Sequence, residues 1–284
     1  MGDLFVVATP IGNLGDITYR AIDILNFVDI IACEDTRQSL KLLNHYNIKK
    51  KLVAYHKFNE KNKSNSLIND LLDGKNIAII TDAGTPCISD PGYVVIKEAQ
   101  ERGIKVIGIP GASACITALS VSGIDTSEFS FIGFLPTDNT KFKNQLDKIQ
   151  KSLINTFVIY ESPKRIVKLM EKLCDLFPNA NVFIASDLTK IHERSFYGKI
   201  NYVLNSISND SNIEKGEYVI ILEKNQIAQD VKEELSFTLE AMLVDTMVKE
   251  KCSIKSAIKI ICEKNKNIKK NDLYSASLNL KSII

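Results

Sequence analysis

Short runs of β-branched and other apolar residues, interleaved with longer amphipathic stretches, set the strongest limit on what this chain can fold into. Leu4–Ala8, Val28–Cys33, Leu52–Tyr55, Asn76–Thr81 and Lys105–Ile109 read as strands, and Thr18–Phe27, Thr36–Tyr46, Ser64–Leu72 and Tyr93–Arg102 carry helical spacing. A strand that is apolar on both faces must be covered on both, so this alternation calls for a mainly parallel sheet between two helical layers. That unit spans residues 1–123. A second, over 124–226, offers strands at Phe129–Phe134, Thr156–Glu161, Asn181–Asp187 and Tyr218–Glu223, with helices at Lys141–Lys151 and Lys164–Phe177. Its strand order cannot be read from the pattern, and a mixed or antiparallel sheet fits as well as a parallel one. The polar stretch Asn205–Lys215 reads as a surface loop. Residues 227–284 show no strand signal and read as three helices, roughly 231–249, 253–264 and 270–280. The expectation is an α/β protein of two α/β domains with a small basic helical domain after them.

Composition narrows the function classes. With 45% hydrophobic residues and a net charge of +2 in 284 residues, a disordered chain is disfavoured. So is a strongly basic, self-sufficient nucleic-acid binder. The total conceals an asymmetry, since nine Lys face three acidic residues from Lys249 onward. Of the 36 basic residues only five are Arg, namely Arg20, Arg37, Arg102, Arg165 and Arg194. In so Lys-rich a chain a guanidinium marks places where a planar, bidentate cation is needed. The six cysteines form no C-x-x-C pair and no ligand spacing with His, so free thiols in a reducing compartment and no metal site are expected. No apolar stretch is long enough for a membrane span and no leader pattern opens the chain, so a cytoplasmic protein without a membrane partner is expected.

Ligands of open parallel sheets bind beyond the carboxyl ends of the strands, which directs attention to the loops there. Thr9-Pro10-Ile11-Gly12-Asn13-Leu14-Gly15-Asp16 is a stiff, glycine-containing turn that allows close backbone approach; it also suits a plain turn in which Asp16 or Thr18 caps the next helix. The run Thr81–Gly92, rich in small turn-forming residues, is too long for a mere connection. In it Asp82 offers an acceptor for a hydroxyl or an ammonium, and Asp90-Pro91 reads as a helix cap followed by proline. Pro110-Gly111-Ala112-Ser113-Ala114 opens a helix, either as an anion cradle or as an ordinary cap. Ser162-Pro163 repeats the cap-then-proline device and puts Lys164 and Arg165 in a helical first turn, against the helix dipole, which points to an anionic partner or, equally, to a solvated pair. Glu34-Asp35-Thr36-Arg37 opens another helix, where structure alone accounts for the carboxylates but not for Arg37. Leu188–Arg194 packs Lys190, His192, Glu193 and Arg194 together. No Ser/His/Asp or metal-ligand pattern appears.

In order along the chain, T-P-I-G-N-L-x-D (9–16), E-D-T-R (34–37), D-A-G-T-P-x-I-S-D-P-G (82–92), P-G-x-S-A (110–114), G-F-L-P (133–136), Y-E-S-P-x-R (160–165) and L-T-K-x-H-E (188–193) resemble the ribosomal RNA small subunit 2′-O-ribose methyltransferases of the tetrapyrrole methylase superfamily. The likeness runs to about residue 224, and the Lys-rich tail with Asp272-Leu273-Tyr274 is similar as well. It implies two α/β domains enclosing S-adenosyl-L-methionine, a homodimer, and methylation of a cytidine ribose 2′-hydroxyl in the decoding region of 16S rRNA within the small ribosomal subunit. It further implies cofactor contacts from Pro10, Asp82, Gly84, Thr85, Ile88, Ser89, Asp90, Pro91, Ala112, Ser113, Tyr160 and Leu188, with the strand Tyr218–Leu222 closing the adenine side. Lys190, if burial lowers its pKa, or Glu34 would take the hydroxyl proton. Asn13, Arg37, Lys164 and Arg165 would meet the RNA. Three departures from the family pattern stand out: Ser186-Asp187 stand where Arg-Glu is usual, Lys164 replaces a histidine, and Ala112 replaces a proline. Two other readings compete, a methyltransferase of corrin or porphyrin precursors and a non-catalytic RNA-binding assembly factor.

Overall fold

A computed structural model describes residues 1–225, 238–264, 268 and 270–283. The chain divides into two compact units, Met1–Gln226 and Ile227–Ile284.

The first half of the larger unit is the expected alternation: β1 (Leu4–Val7), α1 (Tyr19–Phe27), β2 (Ile30–Cys33), α2 (Thr36–His45), β3 (Lys51–Ala54), α3 (Glu60–Leu72), β4 (Ile77–Ile80), α4 (Tyr93–Glu101), β5 (Val106–Ile109) and α5 (Ala114–Val121). All five strands are parallel, in the order β3-β2-β4-β1-β5. Successive side chains go to opposite faces. Leu4, Ile30, Ile77 and Ile79 pack under α3 and α4, while Phe5, Val7, Ile31 and Ala78 pack under α1 and α2. Every β4 residue is buried, which is why its sequence is an unbroken apolar run. Each buried Ile contributes about 2 kcal/mol of hydrophobic stabilisation. Thr18 caps α1 by accepting from the Ala21 N–H, and Asp35 caps α2 by accepting from the Arg37 N–H at 2.8 Å.

The second half comprises β6 (Phe129–Phe134), α6 (Asn139–Lys151), β7 (Thr156–Glu161), α7 (Ile166–Leu176), β8 (Asn181–Ser186), β9 (Arg194–Lys199), α8 (Ile200–Ser208) and β10 (Tyr218–Glu223). Its sheet is mixed, in the order β6-β7-β10-β8-β9, with only β6 and β7 parallel. One face is covered by α6, α7 and α8. The other is covered by α5, whose Cys115, Ala118 and Leu119 pack with Val158, Phe183, Val219 and Ile221. A helix that follows the first sheet in sequence thus packs on the second and locks the halves together.

Three local readings are corrected. The edge strand β9 begins at Arg194, the last residue of the polar cluster, and runs through residues to which the sequence assigned no element. Asn205–Ser208 end helix α8 rather than forming a loop. Neither expected cap-then-proline works as one: α4 starts at Tyr93 with Gly92 as its cap, and α7 starts at Ile166, so Lys164 and Arg165 precede the helix.

The smaller unit packs α9 (Leu239–Lys249), α10 (Ile254–Lys264) and α11 (Lys270–Ile283) around Leu243, Ala257, Ile258, Ile261, Leu273 and Ala276. The part of the first expected helix over 231–237 lies outside the described residues.

Candidate active site

Because the first sheet is parallel, the loops leaving β1, β2, β4 and β5 share one rim. Backbone pairing stitches them together. The Thr9 N–H donates to Gly84 O at 2.9 Å and the Gly84 N–H to Thr9 O at 3.0 Å. Thr85 Oγ1 donates to Ala112 O at 3.2 Å, tying the third loop to the second. Gly84 has φ +87° and lies against Ile11, so a side chain there would be strained in conformation.

Opposite this rim stand the end of β7, the turn after β8 and the start of β10. Between the two sides lies a cavity of about 430 Å³. Of the residues expected to bind cofactor, Asp82, Gly84, Thr85, Ile88, Ser89, Asp90, Ser113, Tyr160 and Leu188 line it. Pro10, Pro91 and Ala112 do not, and Ala112 instead accepts the Thr85 hydrogen bond. The wall also contains Ile11, Phe134, Glu161, Ser162, Tyr218 and Val219. Phe134 sits edge-on to Tyr160, with ring centroids 5.6 Å apart. Sequence reasoning passed over Phe134 and Glu161, although both stand inside the motifs that drew attention to their neighbours.

The cavity is apolar on one side and acidic on the other. Ile11, Leu188, Tyr160 and Val219 form the apolar wall. Burial pushes the Asp90 carboxyl up to about 6, helped by the nearby charges of Glu34 and Asp82. Glu34 is raised by burial and then by Asp82, although Thr81 Oγ1 donates to it at 3.5 Å. Asp82 is raised chiefly by burial, while accepting from the Asp35 N–H at 3.2 Å. Tyr160 is pushed up to about 12 by burial and remains a neutral phenol. Crowded carboxylates of this kind favour a cation.

Backbone strain concentrates in the same loops. Cys87 (φ 70°) and Ser89 (φ 74°) lie in the loop after β4, and Asp187 (φ 54°) and the β-branched Thr189 (φ 67°) in the turn after β8. Such conformations persist only where the surroundings over-determine them, and they gather at functional sites. The turn after β8 meets the first loop directly: the Asn13 N–H donates to Thr189 Oγ1 at 3.1 Å.

The expected basic residues behave differently from one another. Lys190 Nζ pairs with Asp187 at 2.7 Å and Glu217 at 3.0 Å. Burial alone would lower its pKa, but those hydrogen bonds and charges outweigh it and the net shift is upward. The condition attached to Lys190 as a base is therefore not met; it does not line the cavity but reaches it through its pair with Glu217, as a firmly charged ammonium. Arg165 does not reach outward. Its guanidinium holds the buried Glu161 carboxylate at 2.6 Å and donates to Leu135 O at 3.4 Å, joining the ends of β7 and β6. The dipole cost foreseen for it disappears, because the cation answers a buried anion. Arg37 is 88% exposed, paired with Asp35 at 2.8 Å, and free to exchange that partner. Lys164 is exposed beside the cavity, and the Asn13 side chain caps a short 3-10 turn at Leu14–Asp16. Among the described residues no cluster of His, Cys, Asp or Glu is arranged to hold a metal.

A parallel sheet and a mixed sheet that meet over one acidic-mouthed cleft define a methyltransferase fold of the tetrapyrrole methylase type. Residues 3–203 match the family model described as Tetrapyrrole (Corrin/Porphyrin) Methylases. Solved structures agree on the fold. A uroporphyrin-III C-methyltransferase from Thermus thermophilus complexed with S-adenosylhomocysteine superposes with a TM-score of 0.54 at 15% identity, over 78% of this chain and 97% of that one. A diphthine synthase gives 0.58 at 12% identity, over 78% and 89%. Much nearer in sequence are proteins named ribosomal RNA small subunit methyltransferase I. That of Vibrio cholerae is 41% identical over 97% of this chain and 94% of its own length, and that of Escherichia coli O157:H7 is 36% identical over 98% and 95%. The chain belongs to the tetrapyrrole methylases and, within them, to the ribosomal RNA small subunit methyltransferase I family.

Proposed function

We propose that this enzyme methylates 16S rRNA in the small ribosomal subunit, using S-adenosyl-L-methionine, at the ribose 2′-hydroxyl of a cytidine in the decoding region. It does so as a cytoplasmic homodimer. The observation that carries the reading is the cavity itself, apolar where Ile11, Leu188 and Val219 lie and anionic where Asp82 and Asp90 lie, in a chain about 40% identical to its relatives over nearly their full length. Those surfaces suit a nucleoside at one end and a cationic sulfonium and ammonium at the other. When bound, S-adenosylmethionine supplies an electrophilic methyl group.

The protein's own residues account for the rest. The stitched loops at Thr9, Gly84 and Ala112 hold the pocket rigid, so alignment is set before the substrate arrives. Phe134 and Tyr160 exclude water from its mouth. Glu34, at the end of β2 with its carboxyl raised by burial, would accept the hydroxyl proton on a carboxylate oxygen. Lys190 and Arg37, both cationic, are suited to phosphates flanking the reacting ribose, and exposed Lys164 adds to that field.

Titration calorimetry with S-adenosylmethionine, followed by mass mapping of 16S rRNA incubated with the protein, tests the reading. Micromolar cofactor binding with one new methyl on a cytidine ribose supports it. Methyl transfer to a tetrapyrrole precursor but not to RNA would overturn it, as would absence of cofactor binding. Substituting Glu34→Gln is expected to lower kcat by about 10²-fold or more with cofactor affinity little changed.

A further inference from the structure

The most exposed aromatic ring of the larger unit is not in the cavity. Phe58 is 96% exposed, in the turn between β3 and α3 at the same rim of the parallel sheet. An exposed phenylalanine in a floppy loop would mean little, but this turn is held on all sides. The His56 N–H donates to Asn59 Oδ1 at 2.9 Å, and Asn59 Nδ2 donates to Ala54 O at 3.1 Å and meets His56 Nε2 at 3.2 Å. One residue on, Glu60 Oε1 accepts from the Gly92 N–H at 2.8 Å, which fastens the turn to the loop lining the cavity. His56 sits edge-on to Phe58 and lies near Glu34. Close to it in sequence, Lys57, Lys61 and Lys63 are all exposed. Among the described residues none of the three is engaged in an ion pair. Tyr93, next in sequence to the anchoring Gly92, is also exposed.

We infer that Phe58 is a stacking platform for an unpaired base of the RNA strand that carries the reacting nucleotide, with Lys57, Lys61 and Lys63 receiving its phosphates. An exposed aromatic face on a hydrogen-bonded turn, with exposed lysines close by in sequence that make no ion pair among the described residues, matches a polymer of π-faces and anions. A second copy of this chain fits it poorly, because a symmetric contact at this lysine-rich turn would bring lysines against lysines, and Lys is depleted at the cores of protein interfaces. The inference rests on the RNA reading above and adds to it where the strand runs: out of the cleft past Glu34 and across the tip of the turn after β3.

Phe58→Ala and wild-type protein are compared on small ribosomal subunits lacking the modification. The substitution is expected to raise KM for the particle about tenfold, with kcat and cofactor affinity within about twofold. Phe58→Trp restores KM, and Lys57→Gln with Lys61→Gln makes particle binding less salt-dependent. An unchanged KM for the particle in Phe58→Ala overturns the inference. So does a loss of self-association in sedimentation, which would give the ring to a second copy. A wild type that binds cofactor yet leaves RNA unmodified overturns the RNA reading itself, whereas an active wild type indifferent to Phe58 overturns this inference alone.

Discussion

Asp90 shows how a single residue can tie binding to pH. Its carboxyl titrates near 6 in the folded protein against an ordinary 3.8, so the native state holds its proton more tightly than the unfolded chain does. Between those two values the folded state binds more protons, and stability falls as pH rises through the window, levelling off above about 6. Glu34 and Asp82 shift in the same direction. A bound cation reverses the preference, because it favours the ionised carboxylates. Affinity for S-adenosylmethionine is therefore expected to strengthen as pH rises through about 6, and Asp90→Asn should weaken binding and flatten that profile. Calorimetry between about pH 5 and pH 7.5 reads both effects, and an unaltered slope in the variant would refute the account. Arg165 carries the opposite lesson. Its guanidinium does grip a carboxylate with two nitrogens, but both meet the single Oε1 of Glu161 inside the protein rather than a phosphate outside it.

Among the elements, the loop after β4 and the bulge in β6 depend on each other. The register of β6 against β7 slips between Phe131 and Gly133, and Gly133 takes φ +67°. A Cβ at that position would stand 2.9 Å from Ser89 Oγ, the tip of the strained cavity loop. Gly133→Ala is thus expected to push that loop from its place and raise the cofactor dissociation constant about tenfold, while thermal unfolding shifts by only a few degrees. The affinity change exceeding the stability change is the diagnostic result. At this scale sequence and structure agree unevenly. The buried parallel strands were legible because Ile77–Ile80 can be nothing but an inner strand. The edge strand β9 was not, since Arg-Ser-Phe-Tyr-Gly-Lys has a half-buried face and no apolar run. Helix α8 was missed for its Asn and Ser content, although Ile200, Val203 and Ile207 keep a buried stripe. The order of strands in the second sheet rests on pairings between distant segments, to which local periodicity is blind. The loops that build the cavity were legible as a group, but the partners that decide their chemistry, such as Glu217 for Lys190, lie far away in sequence.

For the whole molecule, each compact unit has a core of its own. A chain ending at Gln226 is expected to fold and to bind S-adenosylmethionine as the full protein does. Its affinity for small ribosomal subunits should fall, and the dependence of that affinity on salt should become shallower, because the excess of nine Lys over three acidic residues from Lys249 onward is gone. Filter binding at several salt concentrations checks this, and identical slopes for the two chains would reject a role for the tail in RNA binding.

The place of β10 in the second sheet also bears on how the protein is made. It is the last strand of its unit to be synthesised, yet it lies between β7 and β8, which meet only through it. The parallel sheet can close once β5 has emerged, but β7 and β8 must wait, each with an open edge, until Tyr218–Glu223 arrives. The same strand delivers Tyr218 and Val219 to the cavity wall. A nascent chain therefore acquires its binding pocket and the closure of its second sheet in a single late step, and any ligand that needs a complete pocket is kept from holding a half-made protein.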